Sequence, residues 1–232
     1  MPEKVSKGYK GLGMNGVIAA WYAKNTRKNM EDYRRVAKKA AQSLYTEASV
    51  LEVAPGPGYL SLELAKLGNY KVTGLDISET FVEIARKHAK EAGVEIDFRL
   101  GDAAAMPFPD ETFDLIICRS AFKNFSQPIR ALDEMHRVLK PGGKAVILDL
   151  RGDVSSARLN RHVEEELAYT GVNALLTKWV MRSMLIKRAY TKQAFAEMVS
   201  KSEFGSCEIL EDSIELEIRL EKKLPSGALE AL

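Results

Sequence analysis

At 232 residues, 46% of them apolar, the chain is long and hydrophobic enough for a proper core, as one large domain or two small ones. A formal charge of +2 gives no global argument for nucleic acid or an acidic partner, and two cysteines support neither a disulfide framework nor a zinc site. No window reaches the roughly 18 uncharged apolar residues of a membrane span, and the start MPEKVSKGYKGLG has no apolar run behind its charges, so the sequence reads as a cytoplasmic protein.

Ahead of Ser49 the spacing predicts two helices, at 16–24 and 31–44. In the second, RKNMEDYRRVAKKA sets Met30, Tyr33, Val36 and Ala40 on one face and charge elsewhere. From 49 to 150, strands at 50–54, 70–75, 96–100, 115–118 and 144–150 alternate with helices at 59–67, 78–92 and 128–139, and the joints hold Gly68-Asn69, Gly93 and a Pro141-Gly142-Gly143 turn. Such alternation implies right-handed crossovers and a parallel sheet covered on both faces. Residues 151–187 read as mostly helical, followed by a helix at 191–202 and strands at 206–210 and 214–220. In SIELEIRL the residues Ile214, Leu216, Ile218 and Leu220 share one face, and the link Glu211-Asp212-Ser213 is too short for a crossover, so this pair is expected to be an antiparallel hairpin. The ends, 1–7 and 225–232, lack periodicity and are read as mobile. Cys118 and Cys207 lie in apolar strand-like runs, as small buried thiols do.

In a doubly wound sheet ligands bind beyond the carboxyl ends of the strands. Those ends carry Glu52-Val53-Ala54-Pro55-Gly56-Pro57-Gly58, then Gly74-Leu75-Asp76-Ile77, then Gly101-Asp102-Ala103, then Cys118-Arg119-Ser120-Ala121. Asp76 follows Gly58 by 18 residues, where a carboxylate can accept both hydroxyls of a ribose. Ile77 can lie against an adenine face and Asp102 can accept from an exocyclic amine. A dinucleotide site would want Gly-x-Gly-x-x-Gly, but here Ser61 takes the last position and Glu52 brings negative charge to where phosphates would lie. A cofactor with an ammonium and a sulfonium suits Glu52 better.

On these residues, 49–150 and more weakly the chain to 220 resembles the class I S-adenosylmethionine-dependent methyltransferases, in the blocks LEVAPGPG, GLDIS, GDAAAMPFPDETFDLIICR and RVLKPGG. SAFKNFSQPIRALDEMHRVLKPGG is similar to the matching segment of quinone-biosynthesis C-methyltransferases and their type 11 relatives. The resemblance implies a seven-stranded sheet of order 3-2-1-4-5-7-6 with the last strand antiparallel, in a single domain: a helical cap at 1–48, a cofactor-binding core at 49–150, a helical lid at 151–190, and a closing helix and hairpin at 191–222. It implies S-adenosylmethionine as cofactor, S-adenosylhomocysteine as product, and a small-molecule acceptor with an O, N or C nucleophile, for which a quinone-like or lipophilic ring, another natural product, a fatty acid derivative and a small amine all stay open. Gly56 and Gly58 would let the backbone approach the methionine part, with Glu52 near its amino group. Asp76 would take the ribose, Ile77 the adenine face, and Asp102 with Ala103 the adenine edge. Tyr22 resembles an N-terminal aromatic that closes over the cofactor. Ala54 replaces the family's usual glycine, with altered packing expected. Arg119, Lys123 and Asn124 are the candidates for acceptor contacts, Arg119 also facing the methyl group.

Rival readings are a non-catalytic cofactor-binding partner subunit, an NAD-dependent oxidoreductase, which Ser61 and Glu52 oppose, and a methyltransferase of nucleic-acid bases, whose Asn/Asp-Pro-Pro-aromatic block Cys118-Arg119-Ser120-Ala121 does not match. No spacing suggests a metal, and His88, His136 and His162 read as structural or solvated. Tyr9, Trp21, Tyr22, Tyr169 and Trp179 either line a pocket or pack the flanking helices. The segment 172–188, with Val172, Leu175, Leu176, Trp179 and Val180 on one stripe, is expected to cover the site, with subunit pairing or a membrane surface as alternatives.

Overall fold

The computed structural model describes residues 8–10, 14–166 and 170–225. The ends read as mobile (except Pro225) and Tyr169 lie outside the described residues. The chain runs α1 (Gly16–Thr26), α2 (Met30–Ala41), β1 (Ser49–Val53), α3 (Tyr59–Ala65), β2 (Lys71–Asp76), α4 (Glu79–Ala92), β3 (Asp97–Leu100), β4 (Phe113–Arg119), α5 (Pro128–Val138), β5 (Leu139–Leu150), α6 (Ser156–Arg161), α7 (Gly171–Val180), α8 (Lys192–Ser200), β6 (Glu208–Glu211) and β7 (Glu215–Glu221). The seven strands form one sheet of order β3-β2-β1-β4-β5-β7-β6. β1 to β5 are parallel, and β7 runs antiparallel to both β5 and β6. This is the expected class I methyltransferase topology.

Local chemistry sets most boundaries. The Ser78 hydroxyl accepts from the Phe81 amide at the start of α4, and Gly93, at φ +67°, ends that helix. Pro128 opens α5 at a position that needs no amide donor. The alternation of the last strand places Ile214, Leu216, Ile218 and Leu220 inside. Their partners across the sheet include Ala145 and Ile147, and α5 and α8 close this layer with Leu132, Met135, Phe195 and Val199. On the opposite face, Val50, Val72, Leu115 and Ile117 pack under Ala37 of α2 and Leu60 and Leu64 of α3.

The Pro141-Gly142-Gly143 turn takes a different form from the one expected. β5 begins at once after α5, pairs Phe113 with Leu139, then resumes at Leu115 with Lys144. The extra residues bulge out of the strand, with Gly142 at φ +77° donating its amide to the Lys222 carbonyl at 2.7 Å. The segment after β5 is helical as expected, but the packing stripe differs. Leu159, Val163, Ala174 and Met181 are buried, meeting Ile214 and Leu150. Leu175 and Trp179 face outward, while the side chains of Val172, Leu176 and Val180 lie outside the description.

Candidate active site at the strand tips

The turn between β1 and α3 is bent by three consecutive left-handed positions at alternate residues: Ala54 at φ +57°, Gly56 at +55° and Gly58 at +80°. The two glycines serve different ends. A Cβ on Gly58 would lie 2.8 Å from Phe98 and 3.0 Å from Ala85, so that glycine is needed for core packing. A Cβ on Gly56 would meet nothing closer than Phe81 at 4.0 Å, so its backbone is bare toward the strand tips. At Ala54, which packs against the main core, the missing glycine costs backbone torsion. Ser120, just past β4, is also left-handed at φ +57°, so the adjacent tips of β1 and β4 each hold a strained non-glycine residue.

Two carboxylates are buried at this turn. Asp76, 5% exposed, accepts from the Gly56 amide at 2.9 Å and the Ser78 amide at 2.8 Å, and burial pushes its carboxyl up to about 6. Glu52, 3% exposed, accepts from both the amide and the hydroxyl of Ser61 through one oxygen, and burial pushes it up to about 7. Ser61, in the place of a third glycine, thus spends the helix N-terminus on a carboxylate. A pyrophosphate there would face Glu52.

Asp102 uses Oδ1 to accept from the Ala104 amide, a turn contact, while Oδ2 lies beside Gly8. Ile77 is part exposed and touches Gly8 as well. The strap Gly8–Lys10 reaches this edge by pairing with the loop after β4: Tyr9 bridges Phe125, and the Lys10 amide donates to the Asn124 carbonyl at 2.6 Å. Ala103 packs against the main core. These contacts join Ile77 and Asp102, two of the three residues expected at adenine, through a segment whose involvement has no sequence signal.

Tyr22 sits edge-on to Phe81, with ring centroids 5.8 Å apart; burial raises its phenol, Arg119 pulls it down, and Asp149 and Asp76 raise it further. Arg119 is ion-paired with Asp32 of α2 and stands 4.9 Å over the Tyr33 ring. Burial raises the Glu215 carboxyl as it does that of Glu52, and the Arg119 charge offsets part of each rise, so one guanidinium faces acids from β1, α2 and β7. No sequence signal marks Asp32, Tyr33, Asp149 or Glu215 as neighbours of this site, because only folding brings α2, β5 and β7 to the β4 tip. Lys123 departs from its expected role. It is 3% exposed, and its ammonium donates to Asp149 Oδ1 and to the Ser120 carbonyl, both at 2.6 Å, so it turns inward and not toward an acceptor.

Residues 51–147 match the family model described as "Methyltransferase domain". This stretch is a methyltransferase domain. The chain is 40% identical over 101 residues to the demethylmenaquinone methyltransferase of Thermus thermophilus, covering 43% of this chain and 46% of that protein. It is 34% identical over 139 residues to a ubiquinone/menaquinone biosynthesis C-methyltransferase of Roseobacter denitrificans, covering 59% and 52%. The chain spans about half the length of the curated relatives it matches. Among solved structures, a SAM-dependent methyltransferase from Aquifex aeolicus superposes with TM-score 0.65 at 18% identity over 88% of this chain and 96% of that one. The [4+2]-cyclase SpnF does so with TM-score 0.63 at 20% identity over 82% and 81%. Both likenesses establish the fold alone.

The cofactor of the methyltransferase domain is S-adenosylmethionine, and the residues present fit it. Glu52 and Asp76 offer carboxylate acceptors, suited to an ammonium and to ribose hydroxyls, and the bare Gly56 backbone leaves room beside them. Among the described residues no group of three His, Cys, Asp or Glu side chains could hold a metal ion, and no helix is long and apolar enough to cross a membrane.

Proposed function

We propose that the protein transfers the methyl group of S-adenosylmethionine to a small-molecule acceptor, with a quinone-like or other lipophilic ring as the leading class. The observation that carries this reading is the buried acidic pair Glu52 and Asp76 around a bare glycine turn, in a matched methyltransferase domain. The activities of the relatives at 34–40% identity support the choice of acceptor class.

When bound, the cofactor would supply an electrophilic methyl group on a sulfonium that is already a good leaving group. The chain's contribution is position and exclusion of water. Asp76, held by two amides, has acceptor capacity for the ribose diol. Glu52 balances the cationic end, Ile77 with Asp102 and Ala103 receives adenine, and Tyr22 closes over the site from α1. Gly56 supplies the close backbone approach, while Ala54 and Gly58 shape the turn. Arg119 stands beside the methyl group in this reading, as a cation that can hold an acceptor oxygen. Lys123 acts through Asp149 as a positioning residue for the loop after β4.

The second reading is a cofactor-binding protein without methyl transfer, favoured by one observation: both cations at the β4 tip are already paired with acids. Calorimetry with S-adenosylmethionine, S-adenosylhomocysteine and NAD tests the site, and transfer of a labelled methyl to a demethylated naphthoquinone tests the activity. Binding of the sulfonium cofactor with transfer supports the main reading; binding with no transfer to any of a panel of quinols, phenols and amines supports the second; binding of NAD alone defeats both.

A further inference from the structure

α1 has two unlike faces. Ala19 and Ala23 are buried, the Ala23 carbonyl accepts from the Tyr59 hydroxyl at 2.9 Å, and the Gly16 amide donates to Thr80 at 3.0 Å, which docks the helix on the domain. The other face is apolar and open: Val17 is 86% exposed, Ile18 47% and Trp21 66%. At helical spacing the stripe Val17, Trp21 continues into Lys24 and Lys28, both exposed, with Arg27 beside them. No acid occurs between Gly16 and Asn29.

The charge of the chain is segregated in the same direction. Residues 1–42 hold ten Lys and Arg against three Asp and Glu, a net +7, in a chain whose total is +2, so the remaining residues are net −5. A second cap element repeats the composition: α7 exposes Leu175 and Trp179, and Arg182, Lys187 and Arg188 follow it on the surface.

We propose that the outer face of α1 binds an anionic lipid surface, with Val17, Ile18 and Trp21 entering the headgroup boundary and Lys24, Arg27 and Lys28 meeting lipid phosphates. An indole with aliphatic neighbours suits the interface, where an amphipathic ring finds both an apolar and a wet side. Basic residues on the same stripe add electrostatic attraction to anionic headgroups and can extend along the surface. A second copy of the chain is a poor occupant, because it would bring an equal positive charge to the same face. The inference stands apart from the proposed catalysis, since lipid binding needs no cofactor. It places the cap that carries Tyr22 at the surface where a lipophilic acceptor would dissolve.

The test uses the full chain carrying Trp179→Phe, which leaves Trp21 as its single tryptophan. Vesicles of phosphatidylcholine alone and of phosphatidylcholine with phosphatidylglycerol are compared by co-sedimentation and by Trp21 emission. The expected result is a blue-shifted emission and binding with the anionic vesicles, reversed by high salt. Lys24→Gln with Lys28→Gln should weaken binding about thirty-fold, and Trp21→Ser should abolish it, with melting temperatures held. Three results overturn the proposal: no binding to anionic vesicles, equal binding to both lipids, or a blue shift that follows protein concentration without lipid, which marks self-association.

Discussion

The ammonium of Lys123 lies 2.6 Å from Asp149 Oδ1, and both side chains are all but fully buried. Asp149 Oδ2 also accepts from the Lys123 backbone amide, so one carboxylate pins both ends of this residue to the tip of β5. The pair fixes the loop after β4, next to Ser120.

Removing one member therefore leaves a buried charge unmatched. Lys123→Met should destabilise the protein by about 3 kcal/mol, read as a fall in melting temperature or denaturant midpoint. Lys123→Met with Asp149→Leu should cost less than the sum of the single changes. Additive losses would mean that the two groups do not act as a pair.

Glu52 makes stability depend on pH. Its folded carboxyl, near 7, holds a proton more tightly than the ordinary value of 4.5, so the stabilising contribution is full below about pH 4.5 and is lost as pH rises through 7. Asp76 adds the same trend between about 4 and 6. Glu52→Gln should gain about 3 kcal/mol relative to the parent between pH 4.5 and 7.5, measured by urea unfolding without cofactor. A constant difference across that range would remove Glu52 as the titrating group.

Cofactor binding should carry the opposite pH trend. A cation beside Glu52 favours its ionised form, so binding releases a proton and tightens as pH rises from 5.5 to 7.5. Calorimetry in buffers of different ionisation enthalpy reads that proton directly, and Glu52→Gln should abolish both the release and the tightening.

The two glycines of the turn should separate in mutagenesis. Gly58→Ala combines a left-handed torsion with a Cβ 2.8 Å from Phe98 and is expected to cost about 3 kcal/mol. Gly56→Ala meets open space and should cost about 1 kcal/mol. Conversely, Ala54→Gly relieves a strained torsion and should stabilise the protein by about 0.5–1 kcal/mol. Equal effects at 56 and 58 would show that packing on Phe98 is not decisive.

The strap offers one more measurement. A side chain on Gly8 would start 2.3 Å from Ile77 and 2.4 Å from Asp102 Oδ2, so Gly8→Leu should release the segment. Faster amide exchange at Lys10 and Ser126, whose amides donate across the strap, is the expected signal.

By itself the sequence determined the order and kind of the central elements, because a strand with one buried face writes its period into neighbouring residues: Ile214, Leu216, Ile218 and Leu220 sit inside as their alternation requires. It also located the glycine turn, Asp76, Glu52 and Asp102, since those chemistries stand at strand ends where the pattern breaks. What the tertiary structure alone decided is partnership across distance. Lys123 and Asp149 are 26 residues apart, and Arg119 and Asp32 are 87 apart. A cation's role depends on which acid the fold brings within reach, and no local period encodes that. The same reason governs the outward face of α7 and the contact of Gly8 with the expected adenine edge, because each is set by what packs on the other side.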